Sequence, residues 1–221
     1  MQPIRFVRST PCAVLLVAQL AGILLYPFLE NSPAGRQLFA LFGLLVLGLA
    51  VVAVRVTPLL SWVAVLIAAP AVVLLLVQVV TGNEDLTPWA SGFEAVLYLY
   101  AATAMLRYML ADDEVTTDEL FAIGAVFTLV AWAFAHLYVV LQALDPGAFT
   151  AAVHPAADRT WTELLFLSVT TLSSTGLSDI VPITGHARSV VMFEQIAGIF
   201  YIAMVVTRLV SLTSARRSRS S

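Results

Sequence analysis

The sequence predicts an all-α membrane protein, with six transmembrane helices and a re-entrant helix and loop between the fifth and the sixth. Three observations carry this prediction. Of the 221 residues, 60% are hydrophobic and 11% charged, whereas an ordinary soluble domain carries about 25% charged residues. The apolar residues fall into runs of the length that crosses a bilayer, about 20 residues for about 30 Å of hydrocarbon. One long segment, Leu144 to Arg188, holds an apolar stretch too short to cross. The same composition excludes other classes. Disorder requires low hydrophobicity, and mean hydropathy here is +0.94. A disulfide scaffold requires several cysteines, and Cys12 is the one present. The formal charge of −3 gives no basic footprint for nucleic acid.

The spans are taken in chain order. Cys12 to Phe28 is the first, too long an apolar run for the core of a usual signal peptide. Gln37 to Val54 follows after Glu30-Asn31-Ser32-Pro33, and Leu59 to Val80 after the Arg55–Pro58 turn. Phe93 to Leu110 follows Gly82-Asn83-Glu84-Asp85. An acidic linker, Asp112-Asp113-Glu114 through Asp118, leads to Glu119–Leu144, and Ser189–Leu212 is the last. Arginine counts orient the chain, because cytoplasmic flanks are enriched in basic residues. With the N-terminus inside, Arg5, Arg8, Arg55, Arg107, Arg208, Arg216, Arg217 and Arg219 are cytoplasmic, and Arg36, Arg159 and Arg188 are outside. Both termini are then cytoplasmic, as an even number of spans requires.

The segment between the fifth and sixth spans begins with turns, Asp145-Pro146-Gly147 and His154-Pro155. From Asp158 to Leu172 it reads as a helix, with Asp158 or Thr160 as N-cap and Glu163 in the first turn. Its apolar part can dip about halfway into a bilayer and stop. Ser173-Ser174-Thr175-Gly176-Leu177-Ser178-Asp179-Ile180-Val181-Pro182 follows, small and hydroxylated, then acidic, then proline. Non-helical backbone at that depth survives only where it lines water or is buried in protein. A helix C-terminus brings about half a negative charge into the membrane. A loop of carbonyl and hydroxyl oxygens can replace a cation's hydration shell. Both effects favour a cation. One copy cannot ring an ion, so a symmetric oligomer is expected, most simply a homotetramer.

Trp161 to Arg188, with the span after it, resembles the pore domain of potassium channels: pore helix, TVGYGD signature filter and inner helix. The signature corresponds to Ser174-Thr175-Gly176-Leu177-Ser178-Asp179, flanked by Ser168, Thr171 and Ser173 before and Ile180-Val181-Pro182-Ile183-Thr184 after. Gly198 falls where that family has its inner-helix hinge glycine. The chain also resembles small bacterial six-span channels without a cytoplasmic regulatory domain, with an ending like Glu194-Gln195-Ile196-Ala197-Gly198-Ile199-Phe200-Tyr201. The first four spans match in number and length only. The resemblance implies backbone carbonyls from Thr175, Gly176, Leu177 and Ser178 around the ion, with the Ser174 hydroxyl. It implies support of that filter by Thr170, Thr171, Ser173, Asp179 and Glu194. It implies a gate or hinge at Gly198, Ile202 and Val206.

The signature departs from the family at the valine (Thr175), the tyrosine (Leu177) and the second glycine (Ser178). Leu177 has no hydroxyl with which to brace the filter. A serine held in the left-handed conformation at 178 would cost about 1–2 kcal/mol. Thr170 stands where many relatives have a buried glutamate. These departures weigh against strict K⁺ selectivity.

The other polar residues in the spans are read by the same rules. A voltage sensor needs regularly spaced arginines on the fourth span, and Arg107 alone is an interfacial anchor. The acidic linker reads as a solvated helix start, with Thr117 capping the fifth span. Glu194 is too costly to face lipid and is expected to hydrogen-bond the pore helix or the filter backbone. His136 reads as a satisfied buried histidine. No enzyme constellation occurs, and no cofactor is expected beyond permeant K⁺ or Na⁺. The organisation follows: residues 1–111 form a four-helix peripheral bundle that does not sense voltage, 112–118 a cytoplasmic linker, 119–213 the pore domain and 214–221 a basic cytoplasmic tail. The expected protein is a tetrameric, potassium-channel-like cation channel in the plasma membrane of a bacterium. A non-conducting or regulatory scaffold is the alternative, and a transporter subunit, which would carry several pore loops per chain, is the weaker one.

Overall fold

The computed structural model describes residues 11–29, 32–54, 61–110 and 117–220. In chain order the long helices are α1 (Pro11–Leu29), α2 (Pro33–Val54), α3 (Ser61–Thr81), α4 (Thr87–Met109) and α5 (Thr117–Leu144). A strand β1 (Phe149–Ala151), a shorter helix α6 (Trp161–Leu172), a strand β2 (Ile180–Pro182) and a final helix α7 (Gly185–Ser220) complete it. Every expected span coincides with a helix to within a few residues, apart from an early start of α4 and the extension of α7 at both of its ends. Pro88 at the first turn lets α4 begin ahead of its apolar run. The 36-residue α7 starts before Ser189 and continues past Leu212. Among the described residues, four helices are long and apolar enough to cross a membrane: Pro11–Leu29, Ser61–Thr81, Leu120–Leu144 and Gly185–Val210. The acidic linker Asp112–Thr116 and the side chains of Thr117 and of the Arg216–Arg219 tail lie outside the described residues.

Aromatic and polar contacts at the helix ends fix the alternation. Tyr26 near the end of α1 stacks edge-on to Phe39 near the start of α2, with ring centroids 4.7 Å apart. Gln78 in the last turn of α3 donates to Thr87 Oγ1 at the start of α4, 2.8 Å away. At the opposite end the Cys12 backbone N–H donates to Asp118 Oδ1 at 3.2 Å, so α1 and α5 begin side by side. Asp118 is therefore buried as a cap on a neighbouring helix, where the sequence suggested a solvated helix start. The carboxylate satisfies one of the orphan N–H groups of α1 and complements its dipole. Midway, buried Gln19 on α1 accepts from Thr128 Oγ1 on α5 at 2.6 Å.

The core lies along α5. Small residues, among them Ala101, Ala104, Ala122, Ala125 and Ala133, are fully buried between α4 and α5 and let those backbones approach closely. Trp132, Tyr98 and Leu129 fill the remaining space. A second cluster, Tyr138, Phe149, Leu164, Ile180 and Ala187, joins α5 to the β segment, α6 and α7.

The sequence reading placed an irregular loop where the structure has a two-stranded antiparallel ribbon. β1 pairs with β2 in the register Phe149↔Pro182, Thr150↔Val181 and Ala151↔Ile180, extended by Ile183 N–H to Ala148 O at 2.9 Å. The pair is a long-range one, and three-residue strands carry too little periodicity to be read locally. Its effect is geometric: the chain enters and leaves the 149–182 excursion at the same place.

Candidate functional site

α6 is a well-capped short helix. Thr160 Oγ1 accepts from Glu163 N–H at 3.3 Å, and Glu163 Oε2 accepts from Thr160 N–H at 2.6 Å. This capping box satisfies two orphan donors and decides between the two N-cap candidates in favour of Thr160. Arg159, just outside, is 5% exposed and binds inward. Its guanidinium donates to the carbonyls of Val153 and His154 and to that of Ala157, and stands 3.4 Å from Glu163 Oε1. Gln142 on α5 clamps the same residue, accepting from Arg159 N–H at 2.8 Å and donating to its carbonyl at 3.1 Å. The sequence reading used Arg159 only as an outer charge. Its burial depends on carbonyls in a turn-rich stretch with no periodic signal.

At its other end α6 finishes in a Schellman motif. The Ser174 N–H donates to Thr171 O at 3.0 Å and the Thr175 N–H to Thr170 O at 2.9 Å. Ser174 carries the left-handed conformation, φ 60°. The left-handed serine expected at 178 is thus at 174. Ser178 lies outside that region, and its hydroxyl accepts from Ile180 N–H at 3.0 Å, bending the chain toward β2. Gly176 is the second left-handed residue of the loop, φ 63°. The helix end sets this pattern: the Schellman motif demands a left-handed residue just past the cap, whatever the residue is.

Thr170 O gathers the loop. It accepts from Thr175 N–H, from Gly176 N–H at 3.0 Å and from Thr175 Oγ1 at 3.2 Å. In a planar trans peptide the N–H and the preceding C=O point in opposite directions, and no peptide here is cis. Because the N–H groups of 175 and 176 point back at α6, the carbonyls of Ser174 and Thr175 point away from it, toward the open side of the loop. Ser174, Thr175, Gly176 and Asp179 are exposed and Leu177 is 77% exposed, while Thr170 and Thr171 are buried and Ser173 and Ser178 half-buried. Among the described residues, nothing hydrogen-bonds the outward carbonyls of Ser174 and Thr175, whose residues are exposed.

Glu194 is fully buried on α7. It accepts hydrogen bonds from Tyr138 on α5 and Ser168 on α6, and Ser168 Oγ also reaches Ala131 O at 2.9 Å. It contacts α6 side chains, not the backbone of the 174–178 loop. One carboxylate therefore ties three helices together two residues before Thr170. Tyr138 was not singled out from the sequence; its hydroxyl inside an apolar run was the available signal.

Gly198 sits where α7 meets the end of α6. A Cβ built there would lie 2.1 Å from Leu172 O, so the glycine is required for close approach of the two backbones. The helix is continuous through it, and Tyr201, one turn on, donates to Ile123 O on α5 at 2.5 Å. Ile202 and Val206, further along α7, are exposed.

His136 is a satisfied buried histidine, as expected, with Nδ1 3.3 Å from Ser91 Oγ and 3.3 Å from Glu94 Oε2. Glu94 itself, 5% exposed within α4, went unremarked in the sequence reading, although an acid inside a span is a signal in its own right.

A family model described as an ion channel matches residues 126–215. The match supports a potassium-channel-type pore domain over those residues. The match begins within α5 and ends within α7, and so takes in α6, its loop and both strands; α1 to α4 lie outside it. No curated protein and no solved structure matches the chain significantly. The match and the apolar helices together are those of a multi-pass membrane protein with a channel-type segment.

Proposed function

We propose that four copies of this chain form a passive channel for monovalent cations in a bacterial plasma membrane. Each copy crosses six times with both termini inside and contributes α6 as a re-entrant pore helix. The single observation that carries this reading is the direction of the Ser174 and Thr175 carbonyls, away from their own helix and without a hydrogen bond among the described residues. From Gly185 to Gly198 is 13 residues, about 20 Å along a helix. Leu172, which abuts Gly198, therefore ends α6 deep within a hydrocarbon layer about 30 Å thick. The C-terminal dipole end and the carbonyl row then meet at a depth where water is scarce, which suits a partly dehydrated cation. Large apolar side chains left exposed on α7, Phe193, Ile196 and Phe200, are available to neighbouring copies and lipid.

Ser174, Thr175, Gly176, Leu177 and Ser178 form the filter in this reading. Thr170, Thr171 and Ser173 hold it from behind, and Asp179 shapes its mouth. Glu194 acts through Ser168 to position the pore helix. Ile202 and Val206 line the passage below. With leucine at 177 and serine at 178, discrimination between K⁺ and Na⁺ is weaker than a filter with tyrosine and glycine there provides.

The test is the reversal potential of the purified protein in planar bilayers with K⁺ on one side and Na⁺ on the other. A cation current supports the proposal, and its reversal potential measures selectivity: displaced toward the K⁺ equilibrium value for a K⁺ pore, near zero for a relaxed one. An assembled tetramer that carries no current, and gains none on Leu177→Tyr with Ser178→Gly, overturns the channel reading in favour of a scaffold.

A further inference from the structure

A cavity of about 240 Å³ opens between α1 to α5 and the first turn of α6. We propose that it binds a small protonated amine that carries an apolar ring and one oxygen acceptor. The volume exceeds the roughly 150 Å³ of an engineered cavity that admits benzene, so a phenyl ring with a short alkylamine fits.

Three features of the wall select the ligand. First, the wall is aromatic. Trp161 lies 5.8 Å from Tyr26, 5.4 Å from Phe39 and 5.1 Å from Trp132, centroid to centroid. Rings at such spacings pack directly on one another, and the sides they turn to the cavity attract a cation electrostatically and offer an apolar ring a surface to pack against. Second, the wall carries one carboxylate and no arginine, and the chain has no lysine. Glu94 meets His136 through Oε2, and Oε1 is the acceptor it presents to an ammonium. Third, Tyr98 Oη, Trp132 Nε1 and Trp161 Nε1 are buried without a hydrogen-bond partner. Tyr98 is 0% and Trp132 2% exposed. Buried donors are rarely left unpaired, and three around one cavity point to an occupant that brings an acceptor. A lipid tail would satisfy neither the carboxylate nor the indoles. Trp161 is the first residue of α6, so the occupant would abut the helix that carries the 174–178 loop. The wall straddles the boundary of the segment matched to the channel family, with Trp132, His136, Val139 and Trp161 inside it and Glu94 and Gly43 outside, and its binding can be read without any current.

The experiment is a saturation-transfer NMR titration of the full chain in lipid nanodiscs, with tyramine as probe and tyrosol, its neutral alcohol counterpart, as control. Saturable tyramine binding is expected, with tyrosol weaker by about tenfold or more, the usual loss for one charge-assisted contact. Glu94→Gln should weaken tyramine to a similar extent. Gly43→Leu should abolish binding of both: Gly43 lines the cavity, and a Cβ there meets nothing within 4 Å, so the new side chain fills the space without disturbing the helix. If Glu94→Gln does not fold, Gly43→Leu decides alone. Three results each overturn the proposal: no saturable binding, binding indifferent to Gly43→Leu, or tyrosol binding as tightly as tyramine.

Discussion

Gly198→Ala separates two roles for this glycine by the sign of its effect. If Gly198 served only as a flexible joint, alanine would stabilise the helix, since glycine is about 1 kcal/mol worse than alanine in a helix interior. The structure predicts the opposite. The added methyl would stand 2.1 Å from Leu172 O, with the Leu172 carbonyl carbon at 2.9 Å and its Cα at 3.0 Å. All three are backbone atoms, so no rotamer change relieves the clash, and α6 must shift by about 1 Å. Overpacking of this kind costs about 1–3 kcal/mol, and the backbone contact places it at the upper end. After the propensity gain, a net loss of about 2 kcal/mol remains. For a chain of this size, that corresponds to a fall in unfolding midpoint of about 4–8 °C. The assay is thermal unfolding in detergent followed by far-UV circular dichroism. Gly48→Ala serves as control, because a Cβ at Gly48 meets nothing within 4 Å; its midpoint should hold or rise slightly. A midpoint for Gly198→Ala equal to or above wild type would refute the close-approach argument and return Gly198 to the role of a hinge.

Three further expectations follow from the same geometry. Ser174→Gly should raise the unfolding midpoint, because it relieves a left-handed serine worth about 1–2 kcal/mol; a fall would mean that the serine hydroxyl contributes more than its backbone conformation costs. Glu194→Leu strands the Tyr138 hydroxyl and removes one partner of Ser168, for a loss of about 2 kcal/mol in denaturant unfolding, whereas Glu194→Gln keeps one acceptor and one donor and should lose less than half of that. Thr160→Ala should cost about 1 kcal/mol as a lost cap, and in a double-mutant cycle with Glu163→Ala the two losses should be sub-additive, since each residue serves the other's backbone.

Much of this architecture was legible without coordinates. The positions of the long helices were legible in runs of apolar residues of the length that a bilayer requires. The start of α6 was legible from Asp158 or Thr160 as N-cap with Glu163 in the first turn, a signal complete within one helical turn, and the capping box then settled on Thr160. What stayed hidden depends on partners remote in sequence. Asp118 looked solvated because nothing near it in sequence needs an acceptor; the N–H that it caps belongs to Cys12. The β1–β2 ribbon is only three residues wide, and either strand alone reads as loop. Arg159 is buried because the turn at 153–157 turns its carbonyls inward, a matter of backbone conformation and not of composition.

The loop shows the division most clearly. Residue types alone determined that a short helix would be followed by a small, oxygen-rich stretch with a polar exit, because each of those is a local property of the chain. They did not determine which residue adopts the left-handed conformation. That was decided by where α6 stops, and α6 stops at Leu172 with its carbonyl seated against Gly198. Ser174, the second residue past that point, then takes the strained conformation, and Thr170 O collects the N–H groups that turn the Ser174 and Thr175 carbonyls outward. Local sequence sets what each segment can become. The contact between two helices 26 residues apart along the chain sets which atoms face the open side, because orientation belongs to the packed backbone and to no residue by itself.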